Sequence, residues 1–181
     1  MNIQHSSRTD AWGTPEDILE SVRKVLGSIE LDPASDEHFN QFVRAQKFIT
    51  EEENGLSASW ETYWAPTTGP NIFLNPPGGK IANKSKTQLF WNRLMQQRAL
   101  GRVNHAIFMG FSLECLQTTQ SSSKSALDFP LCVPRKRIKF VAKNGTYNAP
   151  SHSNVIIYVP GHVDCTSDFI AEFSKYGKCK P

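Results

Sequence analysis

The chain has no apolar run approaching the ~20 residues a membrane helix needs, and its first nine residues are polar, with no hydrophobic signal segment. Both absences point to a soluble protein of the cytoplasm with no membrane partner. Its 4 cysteines, Cys115, Cys132, Cys165 and Cys179, are far apart, with no C-x-x-C pair, and its 5 histidines show no ligand spacing. A structural metal site and a disulfide framework are therefore not expected. A strong charge of either sign is missing too: the net value of +3 permits nucleic-acid binding without demanding it. Without internal repeats or a linker, the 181 residues are expected to form a single domain over 12–181, after a flexible arm over 1–11.

What is present centres on Asn71-Ile72-Phe73-Leu74-Asn75-Pro76-Pro77-Gly78-Gly79. Ile72, Phe73 and Leu74 suit a buried strand, and two prolines cannot extend its hydrogen-bond ladder. Asn75 is thereby held at a strand's carboxyl end, where open α/β sheets place their ligands. The Pro76 and Pro77 nitrogens carry no proton, so the loop is short of donors while its carbonyls remain strong acceptors. A side-chain amide among such carbonyls suits an exocyclic amino group. The bland alternative is a turn that merely ends a strand.

Around this stretch, helix and strand signals alternate. Thr14 reads as an N-cap and Pro15 as the first helical residue, before an apolar face of Ile18, Leu19, Val22, Val25 and Leu26 that Gly27 ends. Ile29-Glu30-Leu31-Asp32-Pro33 is a brief strand; Asp32 either caps the next helix or offers its carboxylate to a ribose hydroxyl or cationic group. Residues 36–47 read as helical, 48–50 as a short strand, and Asn54-Gly55 as a turn. Residues 87–100 form a helix with Leu89, Phe90, Leu94 and Met95 on one face, and 105–111 a buried strand. This order predicts β-α-β units and a mainly parallel sheet. Residues 112–128 begin helically and pass into a serine-rich run expected to be mobile. Strand signals follow at 129–134 and 154–159; with the turn signal Asn144-Gly145 between β-like runs, they predict a terminal antiparallel hairpin. A short helix is expected over 168–176. Lys80, Lys84 and Lys86 cluster directly after the proline loop, and Arg135, Lys136, Arg137 and Lys139 place four cations in six residues. Each cluster is either a phosphate-contacting segment or a solvated loop. Trp12, Trp60, Trp64 and Trp91 read as core or edge packing.

Taken in order, Trp12-Gly13-Thr14-Pro15, Leu31-Asp32-Pro33-Ala34-Ser35, residues 48–56 with Trp60, Asn75-Pro76-Pro77, Arg137-Ile138-Lys139-Phe140 and Ala149-Pro150-Ser151-His152-Ser153 resemble the phage-type DNA N6-adenine methyltransferases, the phage Dam-like family. The resemblance spans about residues 11–160. It implies a doubly wound, Rossmann-like methyltransferase fold that uses S-adenosylmethionine on DNA, expected as duplex, in a bacterial cell carrying a phage or prophage. By matching position, Thr14 and Pro15 flank the cofactor's methionine end. Asp32 and Pro33 stand at the first strand's end, and Asn54, Gly55 and Leu56 lie near its adenine. Asn75, Pro76 and Pro77 receive an extruded base, with Lys80, Lys84, Lys86, Arg135, Lys136 and Arg137 on phosphates. Two departures stand out. Gly78 occupies a position usually aromatic, with Phe111 and Tyr147 as possible replacements, and no F-x-G-x-G loop follows the first strand. The other readings are a weakly active or inactive methyltransferase fold that binds DNA or protein, and methylation of another planar amine: cytosine N4, RNA or a protein glutamine.

Overall fold

The computed structural model describes residues 12–62, 65, 67–148 and 152–181; the expected arm over 1–11, Trp64 and Ala149-Pro150-Ser151 lie outside the described residues. Helix α1 (Glu16–Leu26) forms where the apolar spacing puts it, with Ile18, Leu19, Val22, Val25 and Leu26 all buried. Its start differs from expectation by one residue. Pro15 is the N-cap, at ψ 145°, so helical backbone begins only at Glu16 and Thr14 lies outside the helix. After β1 (Leu31–Asp32), Asp36 rather than Asp32 caps α2 (Glu37–Val43), its carboxylate accepting from the Phe39 amide at 2.9 Å. Strands β2 (Lys47–Phe48) and β3 (Asn71–Leu74) precede a small hairpin, β4 (Lys80–Ile81) and β5 (Lys84–Ser85). Ala82 and Asn83 turn it with φ of 47° and 65°. Both residues of such a two-residue turn need positive φ to match the strand twist.

Helix α3 (Lys86–Ala99) leads into β6 (His105–Gly110), then α4 (Glu114–Thr118) and β7 (Leu131–Pro134). The serine-rich run after α4 is stapled to α3 instead of lying loose. The Gln88 amide donates to the Thr118 carbonyl at 2.9 Å, and the Trp91 indole N–H to that of Lys124 at 2.8 Å. The chain closes with β8 (Phe140–Val141), β9 (Tyr147–Asn148), β10 (Val155–Pro160), α5 (Thr166–Phe173) and β11 (Gly177–Lys180).

Seven strands make one sheet in the order β2-β1-β3-β6-β10-β7-β11. The pairs β2–β1, β1–β3 and β3–β6 are parallel, while β10 opposes both its neighbours and β11 opposes β7. Only β10 and β11 therefore run against the rest, and the sheet is largely parallel. The expected antiparallel pair near the sheet's end is present as β7 and β10, but the turn that was to join them lies elsewhere. Asn144-Gly145 does turn a hairpin, with Gly145 at φ 79°, but β8 and β9 stand outside the seven-stranded sheet. Pro134 and the cationic run behind it end β7 early, and β10 slots between β6 and β7. One edge of the sheet is β11, a polar, lysine-bearing strand of the sort that resists edge-to-edge association, and the other is β2.

Side-chain alternation along the strands feeds two cores. Ile72, Leu74, Ala106 and Phe108 face Phe90, Trp91 and Leu94 of α3. Phe73, Ile107 and Met109 face Leu19 and Val22 of α1 and Phe169 and Phe173 of α5. Helices thus cover both faces. From β1 the chain steps outward to β2, then returns to β3 on the other side and continues to β6. The sheet order reverses between β1 and β3, so the carboxyl ends of that pair flank the crevice where such sheets bind ligands.

Within the second core, the Tyr158 hydroxyl sits 3.1 Å from His105 Nδ1 and accepts from the Cys165 amide at 2.7 Å, joining β10 to β6 and to the start of α5. Burial pushes its ionisation up and holds His105 below the usual imidazole range. Tyr158→Phe leaves the Cys165 N–H without its acceptor, and a loss of about 1–3 kcal/mol is expected in urea unfolding.

Candidate active site at the carboxyl edge of the sheet

Asn75 is the first residue beyond β3 and is half-buried, followed by buried Pro76 and half-buried Pro77. Its side-chain nitrogen donates to the Trp12 carbonyl at 3.1 Å. A carbonyl can only accept, so this bond fixes which end of the amide is nitrogen and leaves Oδ1 as the outward group. Among the described residues, no protein donor is recorded on that oxygen or on the Pro76 carbonyl. Trp12 is itself anchored, because Gly13 and Val141 exchange backbone hydrogen bonds of 2.8 and 2.9 Å. The bridge has no room for a side chain at Gly13, where a Cβ would meet the Phe39 ring at 2.6 Å.

Across the crevice, Asp32 ends β1 and is 3% exposed. Its Oδ1 accepts from the Ala34 amide at 3.1 Å. Burial dominates over that amide and the Ser35 hydroxyl, both of which favour the ionised form, and pushes the carboxyl up to about 7. A buried acid with such a raised pKa at a strand's carboxyl end is a candidate ligand group. Pro33 behind it is locked to the next loop, since a Cβ on buried Gly55 would collide with the Pro33 carbonyl oxygen. Gly55 also accepts the Trp60 indole N–H at 2.8 Å. Asn54 sits at φ 60° with Oδ1 accepting from the Leu56 amide at 3.1 Å, and Leu56 packs on the first core. Thr14 is buried, and its hydroxyl has no hydrogen-bond partner among the described residues.

The two basic segments are separate. Arg135, Lys136, Arg137 and Lys139 line the larger cavity, ≈ 560 Å³, with Pro15 and Tyr147; neither Asn75 nor Asp32 reaches it. Arg135 donates to the carbonyls of Lys175 and Ser174, so it braces the end of α5 as well as charging the groove. Lys80 lines the smaller cavity, ≈ 200 Å³, together with Gly78 and Phe111. Lys84 is exposed on the β4–β5 hairpin, whereas Lys86 pairs with Glu51 at 3.4 Å and ties the hairpin to the loop before Asn54. The structure therefore brings Asn75, Thr14 and Asp32 to one edge, links Pro33 to Gly55, and puts Arg135, Lys136 and Arg137 beside Pro15. Among the described residues, no group of three or more His, Cys, Asp or Glu is placed to hold a metal. Nor, among the described residues, is any helix long and apolar enough to cross a membrane.

Two residues escape sequence reasoning. The backbone of Trp12, not its ring, orients Asn75, and no side-chain pattern reports a carbonyl. Asn154 is 2% exposed and bridges the Phe111 carbonyl at 2.8 Å and the Ile138 amide at 3.0 Å. Its only trace in the sequence is a polar residue at the head of a strongly apolar strand.

A family model described as DNA N-6-adenine-methyltransferase (Dam) matches residues 2–159. No curated protein and no solved structure matches the chain.

Asp32 also makes a prediction for the protein without ligand. Its folded pKa, about 7, lies above the ordinary 3.8, so the folded state holds its proton more tightly than the unfolded one. Stability should fall as pH rises from about 4 to about 7, then level off. Asp32→Asn should remove that slope and be the more stable protein at pH 8, by on the order of 3–4 kcal/mol. Urea midpoints measured across this range check both signs.

Proposed function

The chain belongs to the DNA N-6-adenine-methyltransferase (Dam) family, and on that premise we propose that it methylates adenine N6 with S-adenosylmethionine through the Asn75-Pro76-Pro77 loop. Family membership implies adenine N6 methylation of DNA; the cofactor, the loop and each residue's role are our reading. The observation that carries it is the Asn75 amide, whose nitrogen is committed to Trp12 and whose oxygen is left as an acceptor at the strand end. Adenine N6 is a poor nucleophile because its lone pair is conjugated into the ring. Asn75 Oδ1 and the Pro76 carbonyl, holding the two N6 protons, would localise that lone pair and aim it outward. One proton then leaves to solvent. Such positioning and preorganised charge need no general base. Within a duplex the amine is reached by extruding the base.

The residues across the crevice fit the cofactor. S-adenosylmethionine carries ammonium and ribose hydroxyl donors, and the edge offers the buried Asp32 carboxyl and the unpartnered Thr14 hydroxyl. Pro15 and Pro33 would shape its flanks, with Asn54, Gly55 and Leu56 beside its adenine. When bound, the cofactor supplies the activated methyl group. The reversal of sheet order beside Asp32, with helices on both faces, supports a doubly wound, Rossmann-like reading of residues 12–181 as one domain. Lys80, Lys84, Arg135, Lys136 and Arg137 would meet phosphates, and Lys86 would do so once released from Glu51. This activity suits the cytoplasm of a bacterium carrying a phage or prophage. Gly78 favours a second reading, a weakly active fold that binds DNA, because a Cβ there would meet nothing within 4 Å.

Asn75→Ala is expected to reduce labelled methyl incorporation into DNA by at least roughly a hundredfold while calorimetry still finds S-adenosylhomocysteine bound. Wild-type protein that binds cofactor yet labels no DNA would overturn the reading. Donors on the Asp32 carboxylate would favour its ionised form, so S-adenosylhomocysteine affinity should rise with pH up to about 7 and then plateau. In Asp32→Asn it should be weaker and flat with pH.

A further inference from the structure

A planar amine gripped along one edge by Asn75 and Pro76 also needs something against its flat face, since edge hydrogen bonds alone leave the ring free to tilt. The loop has nothing to offer. Gly78 and Gly79 follow directly, and Cβ atoms at either would meet nothing within 4 Å. Tyr147, 68% exposed, lines the other cavity with Pro15 and Arg135.

Phe111 is placed differently. Leu74 pairs with Phe108 across the parallel strands β3 and β6, so Phe111 follows β6 at the same carboxyl edge at which the Asn75 loop follows β3. Phe111 and the Gly78–Gly79 end of that loop line one cavity of ≈ 200 Å³, with His152 among its other walls. Phe111 is half-buried, with ring centroids 5.6 Å from His152 and 6.1 Å from Phe140. Its backbone is held by the buried Asn154 amide, which also receives the Ile138 N–H. A clamped aromatic ring beside an open, side-chain-free loop is a stacking platform for a flat group entering from solvent.

We propose that Phe111 is the wall against which the extruded adenine stacks, so that β6 supplies the π-face the Asn75 loop lacks. This rests on the reading of that loop as the amine-gripping site. Steady-state methyl transfer to duplex DNA, S-adenosylhomocysteine calorimetry and thermal melting should be measured on wild type, Phe111→Leu, Phe111→Ala and the double variant Phe111→Ala with Gly78→Phe. Losing the stack should lower kcat/KM for DNA by roughly 5- to 150-fold, with cofactor affinity unchanged. Phe111→Leu, which keeps the bulk and the fold but not the π-face, should lose activity too. Gly78→Phe, entering the open space at the loop, should restore most of what Phe111→Ala loses. Wild-type kcat/KM in a folded Phe111→Leu, or no rescue in a folded double variant, would overturn the proposal alone. Wild-type protein that transfers no methyl group to DNA would overturn it together with the reading beneath it.

Discussion

Parallel pairing of β3 on both sides is the constraint from which the candidate site follows. Because β1 and β6 run the same way as β3, three strand ends open together at one edge of the sheet. They carry a carboxylate, an amide and an aromatic ring: Asp32, Asn75 and Phe111. None of the three is near another in sequence. Had β6 entered antiparallel, as β10 does beside it, Phe111 would lie at the opposite edge and the Asn75 loop would face no ring. The switch from parallel to antiparallel pairing falls one strand beyond the site, after β6, and leaves the edge intact.

The elements legible in the sequence are those decided by local physics. The amphipathic face of α1, the buried run of β6 and the Asn-Pro-Pro stop after β3 depend only on spacing and on proline's missing N–H, and each lies where those rules put it. Helix α2 begins where expected but ends at Val43, before the expected limit at residue 47, and its cap is Asp36 and not Asp32. What stayed hidden was decided by distant partners. Residues 177–180 have a poor strand composition and become β11 because β7 offers an open edge. The strand at 154–159 was visible, but its place between β6 and β7 was not, since nothing local states which neighbour a strand takes. The serine-rich run looked loose because the groups that hold it, Gln88 and Trp91, sit a full helix away.

Asp32 shows a tension common where ligands bind. Burying an acid costs stability near neutral pH, and the Ala34 amide and the Ser35 hydroxyl beside Asp32 do not offset that cost. A core position selected for stability alone would hold an amide or an apolar residue. The same holds, more mildly, for Thr14, whose buried hydroxyl goes unpaired.

The bond from Asn75 to the Trp12 carbonyl reaches further than its length. If Asn75 grips the amine as proposed, the amino-terminal limit of a competent protein is set by one peptide oxygen, four residues ahead of the first helix. Trimming the chain back to Glu16 would remove no residue of the seven-stranded sheet or of α1–α5. It would also free the Asn75 amide to rotate and strip Val141 of its bridge to Gly13. Such a fragment could fold and melt like the whole and still have lost its grip on an amine, so folding alone would be a misleading sign of an intact site.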